Sequence, residues 1–285
     1  MTALFFALGA ALGSFLNVVA LRYDPDEFLF ARAVIGGRSQ CPHCRATLRW
    51  FELIPLVSFL IQSGRCRRCG AKISPRYFLV EVAAGMLALV AFLKFGAPDV
   101  WGREMALAAL WALMFLVLLL VALIDFRLTI IPDEANALIA ALGVGIAAVG
   151  APGFGLVSGS FLGSYAIIFG ARENIFLNIA VAVLAATVLF GALVGVTRGR
   201  GMGIGDLKLA VALALPFGWP DVLLLFAFAF IIGSLVGGAA ILLRRMTLKS
   251  ALPFGPFLAL AALIVFLWAE PMVAGYFSLF GLISI

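Results

Sequence analysis

Two aspartates are the residues of this chain whose type and position best support chemistry. Asp125 stands at the end of an apolar segment, and Asp206 follows Gly203-Ile204-Gly205 just before another apolar segment. Ionisable groups at or within the hydrocarbon of a membrane are costly and usually serve a function. Two neighbouring carboxylates cannot both ionise cheaply, so one keeps a proton while the other is charged. Such a pair supplies a general base for water and a general acid for a leaving amine.

Each aspartate also has a structural interpretation. For Asp125 it is an interfacial loop residue paired with Arg127. However, Asp125 lies at a predicted helix C-terminus, whose partial negative charge is unfavourable for a carboxylate, and this favours a function instead. Asp206 is of a type that often caps a helix N-terminus. However, the segment from Leu207 to Trp219 has about 13 residues and covers only about 20 Å of a core of about 30 Å. To span the membrane, this segment must begin below the membrane surface, so Asp206 would lie at membrane depth. We therefore predict non-helical backbone at membrane depth over 201–205.

Other acidic residues have simpler explanations. Asp133 and Glu134 follow Pro132 at the start of a predicted helix, where the helix dipole favours negative charge. Glu81 lies about one turn inside the second predicted span, where we expect it to pair with Arg76 or with a basic group in the core. Glu52 reads as a loop residue, with a part in methyl transfer as the alternative.

All four cysteines fall in one polar loop as two pairs. The pairs are Cys41-Pro-His-Cys44 and Cys66-Arg-Arg-Cys69, and four thiolates in this pattern suit a structural zinc ion. A reducing compartment argues against disulfides, and two redox-active pairs would lack the βαβ pattern that usually surrounds them. His43, inside the first pair, is expected to be a solvated neighbour of the metal. The loop has little core of its own, so zinc would supply much of its folding energy.

The elements that must position these groups are membrane helices. The chain has 285 residues, of which 65% are hydrophobic and 12% charged, with a mean hydropathy of +1.18. Soluble domains carry about 25% charged residues, so a soluble protein is excluded. Apolar runs of about 20 residues indicate helices and not a barrel. We predict an all-α polytopic protein of about eight spans, at 2–21, 77–96, 104–124, 132–151, 175–197, 207–219, 222–243 and 257–280.

The distribution of positive charge predicts the orientation. Most of the twenty Lys and Arg residues fall in one set of alternate loops, and the opposite loops hold only Lys94, Arg103 and Arg172. The positive-inside rule makes the richer set cytosolic, so both termini face outward. Residues 152–174 contain an apolar piece too short for a span and are expected to form an outer-surface helix or re-entrant segment. The predicted domains are a first span over 1–21, a cytosolic zinc loop over 22–76 and a membrane core over 77–285.

Charged groups at membrane depth also occur in transporters. A transporter or channel with proton-relay aspartates and a regulatory zinc loop is therefore the alternative function. The arginines of the loop act as topology determinants or attract an acidic or lipid surface, and no nucleic-acid partner is expected.

The chain resembles the bacterial type IV prepilin leader peptidases, which are intramembrane aspartic proteases of the GxGD class. The resemblance runs nearly end to end and is carried by seven groups of residues. In chain order they are Gly13-Ser14-Phe15-Leu16-Asn17-Val18-Val19 with Arg22, the two Cys pairs, Ile54-Pro55, Ile73-Ser74-Pro75-Arg76-Tyr77, Ile124-Asp125 with Ile131-Pro132-Asp133, Gly201-Met202-Gly203-Ile204-Gly205-Asp206-Leu207-Lys208, and Pro253-Phe254-Gly255-Pro256-Phe257.

The resemblance implies a function and a site. Asp125 and Asp206 would be the catalytic pair, supported by Gly203, Gly205 and Lys208. The substrates would be type IV prepilins or type II secretion pseudopilins, cut after a glycine at the cytosolic face of the bacterial inner membrane. The resemblance also implies N-methylation of the new terminus with S-adenosylmethionine. No nucleotide fingerprint appears in the chain, so the residues that bind this methyl donor are not predicted.

Overall fold

The computed structural model describes residues 1–95, 102–150, 160–167, 174–199, 201–247 and 251–279, and these contain helices and no strand. Eight longer helices match the eight predicted spans to within a few residues. They are α1 (Thr2–Arg22), α4 (Arg76–Lys94), α5 (Arg103–Leu128), α6 (Asp133–Gly150), α7 (Ile175–Thr197), α8 (Ile204–Phe217), α9 (Asp221–Leu242) and α10 (Gly255–Leu279). Two short helices, α2 (Arg32–Ile35) and α3 (Val57–Ile61), and a 3₁₀ helix (Trp50–Leu53) lie in the cysteine loop.

Among the described residues, seven helices are long and apolar enough to cross a membrane, which makes this a multi-pass membrane protein. The exception is α8, whose 14 residues reach only about 21 Å at 1.5 Å per residue. The predicted short segment is therefore confirmed as a short helix.

The chain divides into two compact units, Met1–Ile124 and Asp125–Ile285. In the first unit α1 packs closely against α4 through small residues. A Cβ atom added to Gly9 would lie 2.6 Å from the carbonyl oxygen of Ala84, and one added to Gly85 would meet the ring of Phe6 at 2.7 Å. Small residues let two membrane helices approach in this way.

In the second unit α6 and α8 run side by side in the same direction. Ile131, just before α6, lies against Gly205 in the first turn of α8, and Gly143 lies against Leu215 and Pro216 near the end of α8. The first turn of α8 therefore lies at the same end of the bundle as the start of α6.

The described part of the segment predicted on the outer surface, residues 160–167, lies far from that end. Asp221, the first residue of α9, is buried and accepts hydrogen bonds from Ser160 Oγ at 2.8 Å and from the N–H of Phe161 at 3.0 Å. Glu270, about 22 Å along α10 from Gly255, lies against Gly163. The rest of 152–174 lies outside the described residues, apart from Asn174, which caps α7.

Candidate active site and metal centre

Asp125 lies in the last turn of α5 and is buried, with 3% of its surface exposed. The backbone N–H of Gly255, at the start of α10, donates to its Oδ2 over 2.9 Å. A Cβ added to Gly255 would lie 2.8 Å from the same oxygen. The carboxylate is therefore held by a backbone group that approaches closely because residue 255 has no side chain.

Asp206 lies in the first turn of α8 and is partly exposed. Its Oδ2 accepts the backbone N–H of Gly203 over 3.1 Å, which satisfies a donor that a helix N-terminus leaves free. As a result α8 begins at Ile204, and the prediction of non-helical backbone up to Gly205 was wrong for the last two residues. Gly203 is the N-cap, and Asp206 supports the cap from the third helical position.

Ile131 lies against two glycines, Gly205 and Gly255, that adjoin the two aspartates. The side chain of Ile131 lies 3.3 Å from a Cβ added to Gly205 and 3.4 Å from one added to Gly255. Gly205 directly precedes Asp206 in the sequence, and Gly255 donates a hydrogen bond to Asp125. The two carboxyls are close enough for electrostatic interaction. The second unit thus brings together the residues that the sequence predicts as a pair.

Asp133 has a partner that its sequence context did not reveal. It lies in the first turn of α6, as predicted, and both of its carboxylate oxygens lie 2.7 Å from Nζ of Lys208 on α8. The two side chains are 68% and 48% exposed, so this is a surface ion pair. The ion pair links the starts of α6 and α8. The position of Lys208 is therefore explained by its bonds to Asp133, and among the described residues it bonds neither Asp125 nor Asp206.

Sequence reasoning missed two residues near this site. Gly255 appeared only as part of a Pro-Phe-Gly-Pro motif, and nothing local predicted its bond to Asp125. Asn136, one turn into α6, is buried, and neither atom of its amide has a hydrogen-bond partner among the described residues. An unsatisfied buried polar group costs about 1–3 kcal/mol. A polar residue in a predicted membrane helix was the available signal for Asn136.

The four cysteine sulfurs of the first unit form one cluster. All lie within 4.8 Å of one another, with Cys41 to Cys69 at 3.9 Å and Cys44 to Cys66 at 4.0 Å. Sulfurs about 2.3 Å from a central zinc ion would be about 3.8 Å apart, so the cluster fits zinc closely. The sulfurs are not bonded to one another. The prediction that these four residues come together is confirmed.

The two pairs have the same local geometry. In each, the first cysteine accepts a backbone N–H from four residues on, Arg45 to Cys41 at 2.9 Å and Gly70 to Cys66 at 2.8 Å. The backbone N–H groups of Cys69 and Arg68 lower the pKa of Cys66 to about 6. The N–H of Ala71 lowers the pKa of Cys69, but burial and the neighbouring thiols outweigh it and raise that pKa to about 11. A cation held among the four sulfurs would offset the repulsion between thiolates.

Glu81 of α4 is buried, and its Oε2 accepts the backbone N–H of Leu56 in the cysteine loop over 2.7 Å. Glu81 forms no ion pair with any residue that the structure describes, so the expected pairing with Arg76 or another basic group is wrong. A loop amide takes the place of the cation, because the loop folds back over α4 in the first unit.

Comparison with known proteins gives a consistent result over almost the whole chain. Residues 7–95 match the bacterial peptidase A24 N-terminal domain, and residues 112–238 match the type IV leader peptidase family. Proteins named prepilin leader peptidase/N-methyltransferase are similar throughout. That of Stutzerimonas stutzeri is 30% identical over 94% of this chain and 91% of its own length, and that of Bacillus subtilis is 31% identical over 98% and 99%. No solved structure was found to match. The chain belongs to the type IV leader peptidase family.

Proposed function

We propose that this protein removes the leader from type IV prepilins and then N-methylates the new terminus. The observation that supports the peptidase activity is that Gly205, next to Asp206, and Gly255, bonded to Asp125, both lie against Ile131 in the second unit. Relatives that match over nearly their full length bear the name prepilin leader peptidase/N-methyltransferase. They give no support to the alternative of a transporter or channel.

The proposed chemistry needs only water and the two carboxyls. The ionised carboxylate takes a proton from water, which attacks the carbonyl carbon of the scissile peptide bond. The protonated carboxyl donates to the leaving nitrogen, so the pair ends with the proton on the opposite partner. The Gly255 N–H keeps Asp125 in place through the cycle. Asn136 offers a free donor and acceptor to water or to the substrate backbone near the start of α6.

The proposed substrates are prepilins and pseudopilins whose basic leader stays at the cytosolic face of the inner membrane. Their apolar helix would lie among the membrane helices and the surrounding lipid, with the glycine before the cut at the depth of Asp206. The short α8 supports this, because a helix of about 21 Å must begin below the membrane surface in order to cross. The loop 22–76 is the separate cytosolic module on this proposal, and 77–285 is the peptidase core.

Two groups that the chain would bind complete the proposal. A zinc ion held by Cys41, Cys44, Cys66 and Cys69 would stabilise the loop and take no part in cleavage. S-adenosylmethionine would supply the methyl group for the new amino terminus.

The test is incubation of the purified protein with a prepilin in detergent, followed by mass spectrometry of the product. We expect loss of the leader after a glycine, together with the mass increase of one CH₂ group when S-adenosylmethionine is added. Asp125→Asn serves as the control for the peptidase. An intact prepilin after incubation with folded wild-type protein would overturn the proposal.

The cytosolic placement has its own test. A single cysteine at position 125 or 206, in a chain without the four native cysteines, is probed with a charged thiol reagent from each side of the membrane. Labelling of both positions from the cytosol is expected. Labelling from opposite sides would end the proposal of a catalytic pair.

A further inference from the structure

The cysteine loop between α1 and α4 carries a row of exposed apolar side chains, which we call the apolar patch. They belong to the 3₁₀ helix, to α3 and to the turn between these two elements: Trp50, Leu53, Ile54, Val57, Leu60 and Ile61. Leu60 and Ile61 are 64% and 79% exposed. Contiguous apolar side chains left uncovered in this way mark a contact with a protein or with a membrane.

The other face of the same segment packs against α4. The ring of Phe59 lies 5.4 Å from the ring of Phe78, in the first turn of α4, measured between centroids. The N–H of Leu56 donates to Glu81, which lies about 7.5 Å along the helix from Arg76. Since α4 is long and apolar enough to cross a membrane, the centre of the patch lies beside the first two turns of a membrane helix.

The turn that makes this contact has an unusual backbone. Leu56 has φ +62° and ψ −51°, and the N–H of Val57 donates to the carbonyl of Pro55 over 2.6 Å. This is the geometry of a γ-turn with positive φ, which is rare and strained for a residue with a side chain. The bond from Leu56 to the buried carboxylate of Glu81 holds the turn in place. The level of the patch along α4 is therefore fixed by the fold.

An exposed apolar face of α4 begins at the same level. Leu79, Met86 and Leu93 are exposed and recur at every seventh position, so they lie on one side of the helix. Leu79 follows Phe78, the residue that contacts Phe59 of the loop. The patch and the first residue of this face therefore meet the same surroundings, which for a membrane helix are lipid.

Basic side chains surround the patch. Four exposed arginines lie on either side of it in the sequence: Arg49, Arg65, Arg67 and Arg68. The guanidinium of Arg67 lies 5.4 Å from the centre of the Phe51 ring, which packs edge-on against Trp50. Tryptophan is enriched at the level of lipid headgroups, and basic residues at that level attract anionic lipids.

We propose that the apolar patch inserts into the lipid leaflet around the first turns of α4, with the neighbouring arginines bound to anionic headgroups. A lipid occupant is favoured over a protein partner because the patch lies at a level where the bilayer already surrounds α4. Apolar side chains beside basic ones are the pattern of segments that lie in a membrane interface. The second cysteine pair, which encloses Arg67 and Arg68, is then held at the membrane surface.

The inference is independent of the proposed peptidase and methyltransferase activities. It requires only a multi-pass membrane protein with this packing of the loop on α4. Its test therefore measures lipid contact and not catalysis.

The test uses the full chain in nanodiscs of phosphatidylcholine mixed with phosphatidylglycerol. The photoreactive residue p-benzoylphenylalanine is placed at position 60 or 61, where the native side chain is exposed, and irradiated peptides are analysed by mass spectrometry. We expect phospholipid adducts at both positions. Position 59 is the matched control, because Phe59 is aromatic and packs against Phe78, so a probe there should crosslink within the chain.

The charge of the lipid gives a second comparison. Phosphatidylglycerol should be over-represented among the adducts at position 61 by about fivefold or more, the effect of one basic residue near an anionic surface. Arg67→Gln with Arg68→Gln should lower this enrichment while zinc content is unchanged. Arg244→Gln with Arg245→Gln removes the same charge from exposed residues of the second unit and should leave the enrichment as it is.

Trp50 gives a readout in a chain without the photoreactive residue. Brominated lipid should quench the fluorescence of the wild-type protein more than that of Trp50→Phe, because an exposed Trp50 would lie among the lipids. Absence of lipid adducts at both 60 and 61, or a crosslink there to a second copy of the chain, would overturn the proposal. Equal enrichment of phosphatidylglycerol in the wild-type chain and in the variant without Arg67 and Arg68 would also overturn it.

Discussion

The backbone N–H of Gly255 is hydrogen-bonded to the carboxylate of Asp125 over 2.9 Å, although 130 residues separate the two. The bond joins the start of α10 to the last turn of α5. Because Asp125 lies where the dipole of its own helix is unfavourable for negative charge, a donor from another element offsets part of that cost. Residue 255 has no side chain, which allows the N–H to come this close.

Gly255→Ala tests this relationship. The added Cβ would lie 2.8 Å from Oδ2 of Asp125, so either the carboxylate or the start of α10 must move. Loss of one hydrogen bond to a charged group costs about 1.5–3 kcal/mol, and we expect cleavage to fall about tenfold or more. Gly238→Ala is the matched control, because nothing lies within 4 Å of a Cβ at that helical position. Equal cleavage by the two variants would show that Gly255 does not position Asp125.

The catalytic pair itself predicts that Asp125→Asn and Asp206→Asn have similar, severe effects. Residues that act as one unit each remove nearly all of the rate, so cleavage should fall by roughly three orders of magnitude or more in either variant. The double variant should be no worse than the single ones. Prepilin cleavage is measured after circular dichroism shows that the helices are retained. Cleavage near the wild-type rate in either single variant would contradict the assignment.

Gly205 and Gly203 provide a graded test of crowding beside Asp206. A Cβ at Gly205 would lie 3.3 Å from Cβ of Ile131, tighter than usual, whereas at Gly203 the nearest atom is Oδ2 of Asp206 at 3.5 Å, an ordinary contact. We expect Gly205→Ala to lower cleavage a few-fold and Gly205→Val to lower it more, because overpacking costs about 1–3 kcal/mol. Gly203→Ala should retain most activity. The reverse order, with Gly203→Ala the more damaging, would show that crowding against Ile131 is not the cause.

The parts of this structure that follow from local sequence were predictable. Hydropathy and length place eight helices, because in a membrane the backbone must satisfy its hydrogen bonds within each segment. The spacing of Cys41, Cys44, Cys66 and Cys69 predicts their cluster, because few arrangements bring four thiols together. The start of α8 was less predictable, because it depends on the hydrogen bond from Gly203 N–H to the side chain of Asp206.

What could not be predicted depends on contacts between distant elements. The bonds of Gly255 to Asp125 and of Leu56 to Glu81 use backbone N–H groups, which every non-proline residue carries and which leave no mark in the sequence. The roles of Asp125 and Asp206 stay predictions, although the structure brings the two carboxyls together.

The ion pair between Asp133 and Lys208 is expected to contribute little to stability. Both side chains are about half exposed or more, and exposed pairs contribute about 0–1 kcal/mol. Asp133→Asn should therefore leave most cleavage activity and lower the free energy of unfolding by less than about 1 kcal/mol. A double-mutant cycle with Lys208→Gln, measured by chemical denaturation at low and high salt, should show a coupling that salt weakens. Loss of cleavage in Asp133→Asn as large as in Asp125→Asn would instead place Asp133 in the catalytic machinery.

Removal of the metal should destabilise the loop and leave most of the peptidase activity. Metal analysis of the pure protein should find one zinc per chain, and Cys41→Ser with Cys44→Ser should release it. His43→Ala is the matched control, because His43 lies between Cys41 and Cys44 and the four thiols alone complete a tetrahedral site. This variant should keep zinc. Since thiolates bind the metal and thiols do not, zinc should also be lost as the pH falls.

The zinc-free protein should show a loop that proteases cut readily between 22 and 76, while α1 and α4 stay intact. Its prepilin cleavage should fall far less than in Asp206→Asn, because the two aspartates lie in the other unit. Full resistance of the metal-free loop to proteolysis would show that the loop folds without zinc. A zinc content near zero in the wild-type protein, with its thiols oxidised in the cell, would favour disulfides.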